Sequence, residues 1–80
     1  MPNTRTDEQV LEHFHIGKRV RAENEMWPGH WESGEIISHC QRGHYGAGIG
    51  IRLDSGELVE YDVRYLDHLD ERNSYVRSVK

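Results

Sequence analysis

The sequence predicts a small, mainly β domain of five strands with a short N-terminal helix, and three observations carry that prediction. Ile49, Ile51 and Leu53 alternate with small or polar residues, the period of a strand with one buried face. The run stops at Asp54-Ser55-Gly56 and resumes from Leu58 to Tyr61, which reads as a hairpin. In such a three-residue loop the last position adopts positive φ, where Gly56 carries no Cβ penalty, while Asp54 and Ser55 can bond back to the turn's own backbone. Two more strand-like runs, Lys18 to Glu25 and Trp31 to Cys40, precede the hairpin. The chain of 80 residues makes one domain, and a domain this size buries only roughly 60% of its unfolded surface. Its stability margin is therefore thin, and association into a homo-oligomer would relieve it.

In order along the chain, Met1 to Arg5 has no pattern. Thr6 and Gln9 have the spacing of a capping box, Asp7 and Glu8 suit the positive end of a helix dipole, and Val10, Leu11 and Phe14 make a narrow apolar stripe. These predict a helix over Asp7 to Phe14, ended by Gly17, too short to persist unless the stripe packs on something. In the first strand Val20 and Ala22 share one face, and Arg19, Arg21 and Glu23 the other. Trp27-Pro28-Gly29 marks a loop that exposes a large aromatic. Trp31 and Ile36 are five apart and cannot share a face in a flat strand, so Gly34 is expected to mark a bulge or a sharp bend, and the Trp31 ring is expected to be shared with the core. Gln41 to Gly48, rich in glycine, reads as a hairpin loop. Past Tyr61, Leu66 and Leu69 are expected in a helical turn and a short last strand. The expected division is an N-terminal segment over 1–16, the β domain over 17–70 and a C-terminal tail over 71–80, which is either frayed or an extra strand in need of a partner.

Composition narrows the function classes. An apolar fraction of 35% suffices for one small core, which argues against a wholly disordered chain. A net charge of −4 disfavours nonspecific binding to nucleic acid or to an anionic membrane, although a local patch can outvote the average. The single cysteine, Cys40, allows no internal disulfide, and no apolar run is long enough for a signal peptide or a membrane span. The expectation is a cytoplasmic protein without membrane contact.

From Gly17 to Leu69 the motifs Gly17, Val20, Ala22, then Trp31, Gly34, Ile36, then Asp54, Gly56, then Leu66, Leu69 follow one another. In these the chain resembles an SH3-like barrel of the Tudor type, and the resemblance implies a small five-stranded barrel acting as a binding module. It is also similar to the plasmid-borne type II dihydrofolate reductases, whose barrel begins as Gly17, Arg19, Val20 and Arg21 do here. That resemblance implies a tetramer whose pore holds folate and nicotinamide ligands. Ala22 stands where that family has a lysine, and Tyr61 alone keeps its Val-Gln-Ile-Tyr segment, which reads Leu58-Val59-Glu60-Tyr61 here.

Members of the Tudor class that bind methylated lysine or arginine surround the cation with aromatic faces, which attract a soft positive charge. Trp27, Trp31 and Tyr45, flanked by His30, Glu25 and Glu32, are the candidates for such a surface, and the expected partner is a protein or peptide bearing a cationic group. Lys18, Arg19, Arg21, Arg52 and Arg64, with Trp31 or Tyr45, make a second candidate, a platform for single-stranded nucleic acid. No metal site is expected: His39 and Cys40 point to opposite faces of a strand, so they and His44 make a poor ligand set, and His13 and His15 lie two apart at a helix end. Cys40 reads as a small buried hydrophobe, and Glu23, Glu25, Glu32 and Glu35 as a solvated acidic face. No catalytic residue and no cofactor are expected.

Overall fold

Local chemistry sets the first element. In the computed structural model, which describes residues 6–24, 26–41, 46–66 and 71–79, helix α1 spans Asp7–His13. The Thr6 hydroxyl accepts from the Gln9 amide and the Gln9 side chain accepts from the Thr6 amide, so the capping box is complete. Strands β1 (Arg19–Glu23), β2 (Trp31–Gln41), β3 (Ala47–Leu53), β4 (Leu58–Asp62) and β5 (Val76–Ser78) form one antiparallel sheet in the order β4-β3-β2-β1-β5. A 3-10 turn at Val63–Tyr65 follows β4, and a second at Glu71–Asn73 precedes β5. Among the described residues no helix is long and apolar enough to cross a membrane.

The hairpin from β3 to β4 turns as its sequence demands. Gly56 has φ +99°, its amide donates to the Leu53 carbonyl, and the Leu53 amide donates to the Glu57 carbonyl. Arg52 then faces Leu58 and Ile51 faces Val59.

One expectation for β2 is corrected. The register irregularity in β2 lies between Ile36 and Ser38, not at Gly34. Gly34 instead allows close packing, since a Cβ there would sit 2.7 Å from the Arg52 carbonyl oxygen. The extra residue, Ile37, shifts the alternation, so His39 rather than Ser38 shares the face of Ile36, and its Nε2 lies 2.8 Å from the Phe14 carbonyl. The tail over 71–80 takes the second of its two expected readings, an extra strand, with Val76 buried and Arg77 exposed in alternation. Its partner is β1, with Ala22 opposite Val76 and Val20 opposite Ser78.

The core lies on one face of this sheet. Val20, Ala22, Ile36, Ile49, Ile51, Leu53, Tyr61 and Val76 meet Val10 of α1 and Phe14, which caps it, with Val63 and Leu66 beyond β4. Phe14 is fully buried, so the helix stripe supplies core rather than decorating it. Leu69 lies outside the described residues.

Candidate functional site

The connection between β1 and β2 is built to project side chains outward. The Asn24 side chain accepts from the Met26 amide, the Trp27 amide donates to the Asn24 carbonyl, and the Asn24 amide donates to the His30 carbonyl, which closes the loop. Within it, the His30 amide donates to the Trp27 carbonyl, with Pro28 second and Gly29 third at φ +88°. That is the residue pattern of a type II turn. The Glu23 carboxylate ties the turn to the sheet by accepting from the Gly29 amide at 2.8 Å. With its backbone bonded inward, the loop turns its large side chains to solvent: Trp27 is 68% exposed and Met26 81%.

These residues rim an open groove of ≈ 830 Å³ lined also by Asn24, Glu32, Ser55 and Glu57. Glu32 comes from β2, while Ser55 and Glu57 come from the β3–β4 turn, so the groove joins two loops that are remote in sequence. His30 Nε2 lies 3.5 Å from Glu32 Oε2 across its floor. A smaller groove continues past Asn24, Met26 and Glu57 toward Val59, Glu60 and Tyr61 on β4. Exposed apolar surface beside carboxylates suits an extended segment bearing a positive charge.

Of the residues singled out from the sequence, the structure brings Trp27, His30 and Glu32 together. Trp31 is separated from them. It pairs with Glu23 and follows the outward alternation of Ser33, so its half-buried ring lies on the face of the sheet away from Ile36. The Arg77 guanidinium covers it at 4.3 Å. The expected sharing of the Trp31 ring with the core is thus corrected, since β2 runs regularly from Trp31 to Ile36 and its irregularity lies at Ile37. Glu25 and Tyr45 lie outside the described residues.

Sequence reasoning missed two clusters. The Tyr61 and Tyr75 rings stack at 5.8 Å, Tyr65 meets Tyr75 edge-on at 6.1 Å, and the Tyr61 hydroxyl donates to the Glu23 carbonyl. No local pattern announces contacts between β4 and the approach to β5. The second cluster gathers His13, Lys18, Glu71 and Ser78, whose types suggest a hydrolytic relay. The geometry does not supply one: Glu71 Oε1 at 2.9 Å, Ser78 Oγ at 3.4 Å and Lys18 Nζ at 3.3 Å all meet His13 at the same nitrogen, Nε2. A relay needs the nucleophile and the orienting carboxylate on opposite nitrogens of the histidine base. Partial burial pushes the Glu71 carboxyl up, but bonds from the Ser78 amide, the His13 ring and the Ser78 hydroxyl outweigh it and hold its pKa below the ordinary value.

Among the described residues no group of three or more His, Cys, Asp or Glu side chains could hold a metal ion. His39 is engaged with the Phe14 carbonyl, Cys40 is half-buried, and His44 lies outside the described residues. Ala22 is buried in the core, and Tyr61 is buried with its hydroxyl on the β1 backbone.

No protein-family model matches the chain, and neither the curated proteins nor the solved structures give a match.

Proposed function

We propose that the chain is a non-catalytic binding module of SH3-like barrel form, and that the groove beside Trp27 receives a basic peptide segment. The barrel reading is supported by the strand order, by the 3-10 turns between β4 and β5, and by the Tyr61–Tyr75 stack, which links the two edges of the sheet through side chains. The observation that carries the function is the exposed Trp27 ring, held out by a hydrogen-bonded loop next to Glu32 and Glu57. An indole face attracts an ammonium or guanidinium group, and the two carboxylates add long-range attraction of the same sign. Charge complementarity therefore selects a lysine- or arginine-bearing partner.

The test is a titration of the full chain with a lysine-rich peptide, followed by tryptophan fluorescence and calorimetry, against a matched peptide with norleucine in place of lysine. The lysine peptide is expected to bind with an affinity that falls with salt, and the norleucine peptide to bind weakly. Trp27→Ala should keep the melting temperature and lose most of the binding, because the ring touches solvent rather than core. Glu57→Gln should weaken binding by a smaller factor. Equal binding of the two peptides, or undiminished binding by Trp27→Ala, would sink the proposal.

A further inference from the structure

The outward face of the sheet carries a different chemistry. Arg21 lies directly opposite Arg77 across β1 and β5, and opposite Ser33 across β1 and β2. Two guanidinium groups in cross-strand register repel, a placement that sheet stability alone disfavours. Among the described residues neither has an ion-pair partner. Arg77 is nonetheless fixed: Nε donates to the Glu71 carbonyl, Nη2 to the Arg72 carbonyl, and the group lies over Trp31. An arginine has five N–H donors, so the remaining ones, with those of Arg21 and the Ser33 hydroxyl, can converge on an oxyanion.

The neighbouring row on the same face is arranged differently. Arg19 stands opposite Glu35, and Glu35 opposite Arg52, while Arg19 also forms a two-pronged pair with Asp54 at 3.0 and 2.8 Å. Glu23, on the same face beyond Arg21, is turned to the Gly29 amide. Unbalanced positive charge is thus concentrated at Arg21 and Arg77, with Arg52, opposite Glu35, a further exposed cation across the sheet.

We infer that this face binds the phosphodiester backbone of single-stranded nucleic acid, one phosphate bridging Arg21 and Arg77 and the strand running on toward Arg52. From β5 to β3 the sheet spans about 14 Å, at about 4.8 Å per strand interval, which is too wide for one small anion and suits a polyanion. Among the described residues the surface is a sheet face with no projecting element to enter a duplex groove, and Trp31 beside the arginines offers an aromatic edge to a base. The chain's overall negative charge confines the attraction to this patch.

The experiment is fluorescence anisotropy of a labelled oligothymidylate with the full chain across a salt series, with the duplex of equal length and a poly-glutamate peptide as competitors. The wild type is expected to bind at low salt, with affinity falling steeply as salt rises and poor competition from either rival. Arg21→Gln disturbs no hydrogen bond among the described residues, so it should keep the melting temperature while weakening binding about tenfold and reducing the salt slope by about one. Arg77→Gln should act in the same direction, whereas Trp27→Ala and Arg64→Gln, off this face, should not. The inference is overturned by absence of binding at low salt, by an unchanged slope in Arg21→Gln, or by competition from poly-glutamate or duplex as effective as that of the single strand. Since Trp27→Ala is expected to leave this binding intact while removing that of the lysine peptide, the two readings fail separately.

Discussion

Glu71 joins parts of the chain that no local pattern connects. Its carboxylate takes the Ser78 amide at 2.6 Å, the Ser78 hydroxyl at 2.9 Å and the His13 ring at 2.9 Å. The pair with His13 spans 58 positions, so only the fold could disclose it. Because the folded pKa lies below the unfolded one, protons bind the unfolded chain more tightly in acid. The stabilisation is therefore present above the ordinary value of 4.5 and lost as pH falls through the lower folded value. Denaturant titrations at successive pH values should show the wild type losing stability below that point, and Glu71→Gln should flatten the dependence while being less stable at neutral pH. Equal slopes in the two proteins would remove Glu71 from the account. Asp54 is held low in the same direction, chiefly by the Arg19 hydrogen bond, but at an exposed pair that water screens, so Asp54→Asn serves as the weak control. The two tryptophans show the same limit of legibility. Trp27 was readable as exposed because Pro28 and Gly29 stand beside it, whereas the setting of Trp31 depends on Arg77, in another strand.

At the level of elements, what could be read was what is encoded within a few residues. The capping box fixed the start of α1, and the glycine-ended triplet fixed the β3–β4 turn. A Cβ at Gly56 would meet nothing within 4 Å, so any cost of substitution there comes from the backbone at φ +99°. Gly56→Val should lower stability by about 1–2 kcal/mol, read as a lower denaturation midpoint with an unchanged slope. A midpoint equal to the wild type would mean that the turn relaxes to another conformation at no cost. The bulge could not be placed in this way. Gly34 is the conspicuous signal, yet its role is to let the Arg52 backbone approach, and nothing beside Ile37 marks the extra residue. The fifth strand was similarly indistinct because it is short, and its edge position is defined only by the partner β1. As a result the groove was half legible: the 26–30 loop announced itself, but the contribution of Ser55 and Glu57 required the two turns to be placed side by side.

For the whole molecule, the decisive relation is between a small sheet and the helix that closes its core. Phe14 and Val10 are buried among residues of the sheet and of the first 3-10 turn, and α1 further engages His39 through the Phe14 carbonyl and Glu71 through His13. Burial of a side chain of this kind contributes about 1.5–3 kcal/mol, so the two together supply about 3–6 kcal/mol. A domain of this size is stable by only about 5–15 kcal/mol, and the helix is accordingly a large part of the margin. Deleting residues up to Ile16 should abolish the cooperative thermal transition or lower its midpoint sharply, measured by circular dichroism and by loss of dispersed amide resonances. Phe14→Ala, which leaves the chain length intact, should lower stability by about 3–5 kcal/mol. The point mutant separates a packing role from any effect of a new chain end. If the truncated chain melted at the wild-type temperature and Phe14→Ala did the same, the sheet would be self-sufficient and α1 an appendage. If only the truncated chain did so, a second copy would cover the sheet surface that the deletion exposes, and the mass in solution would double.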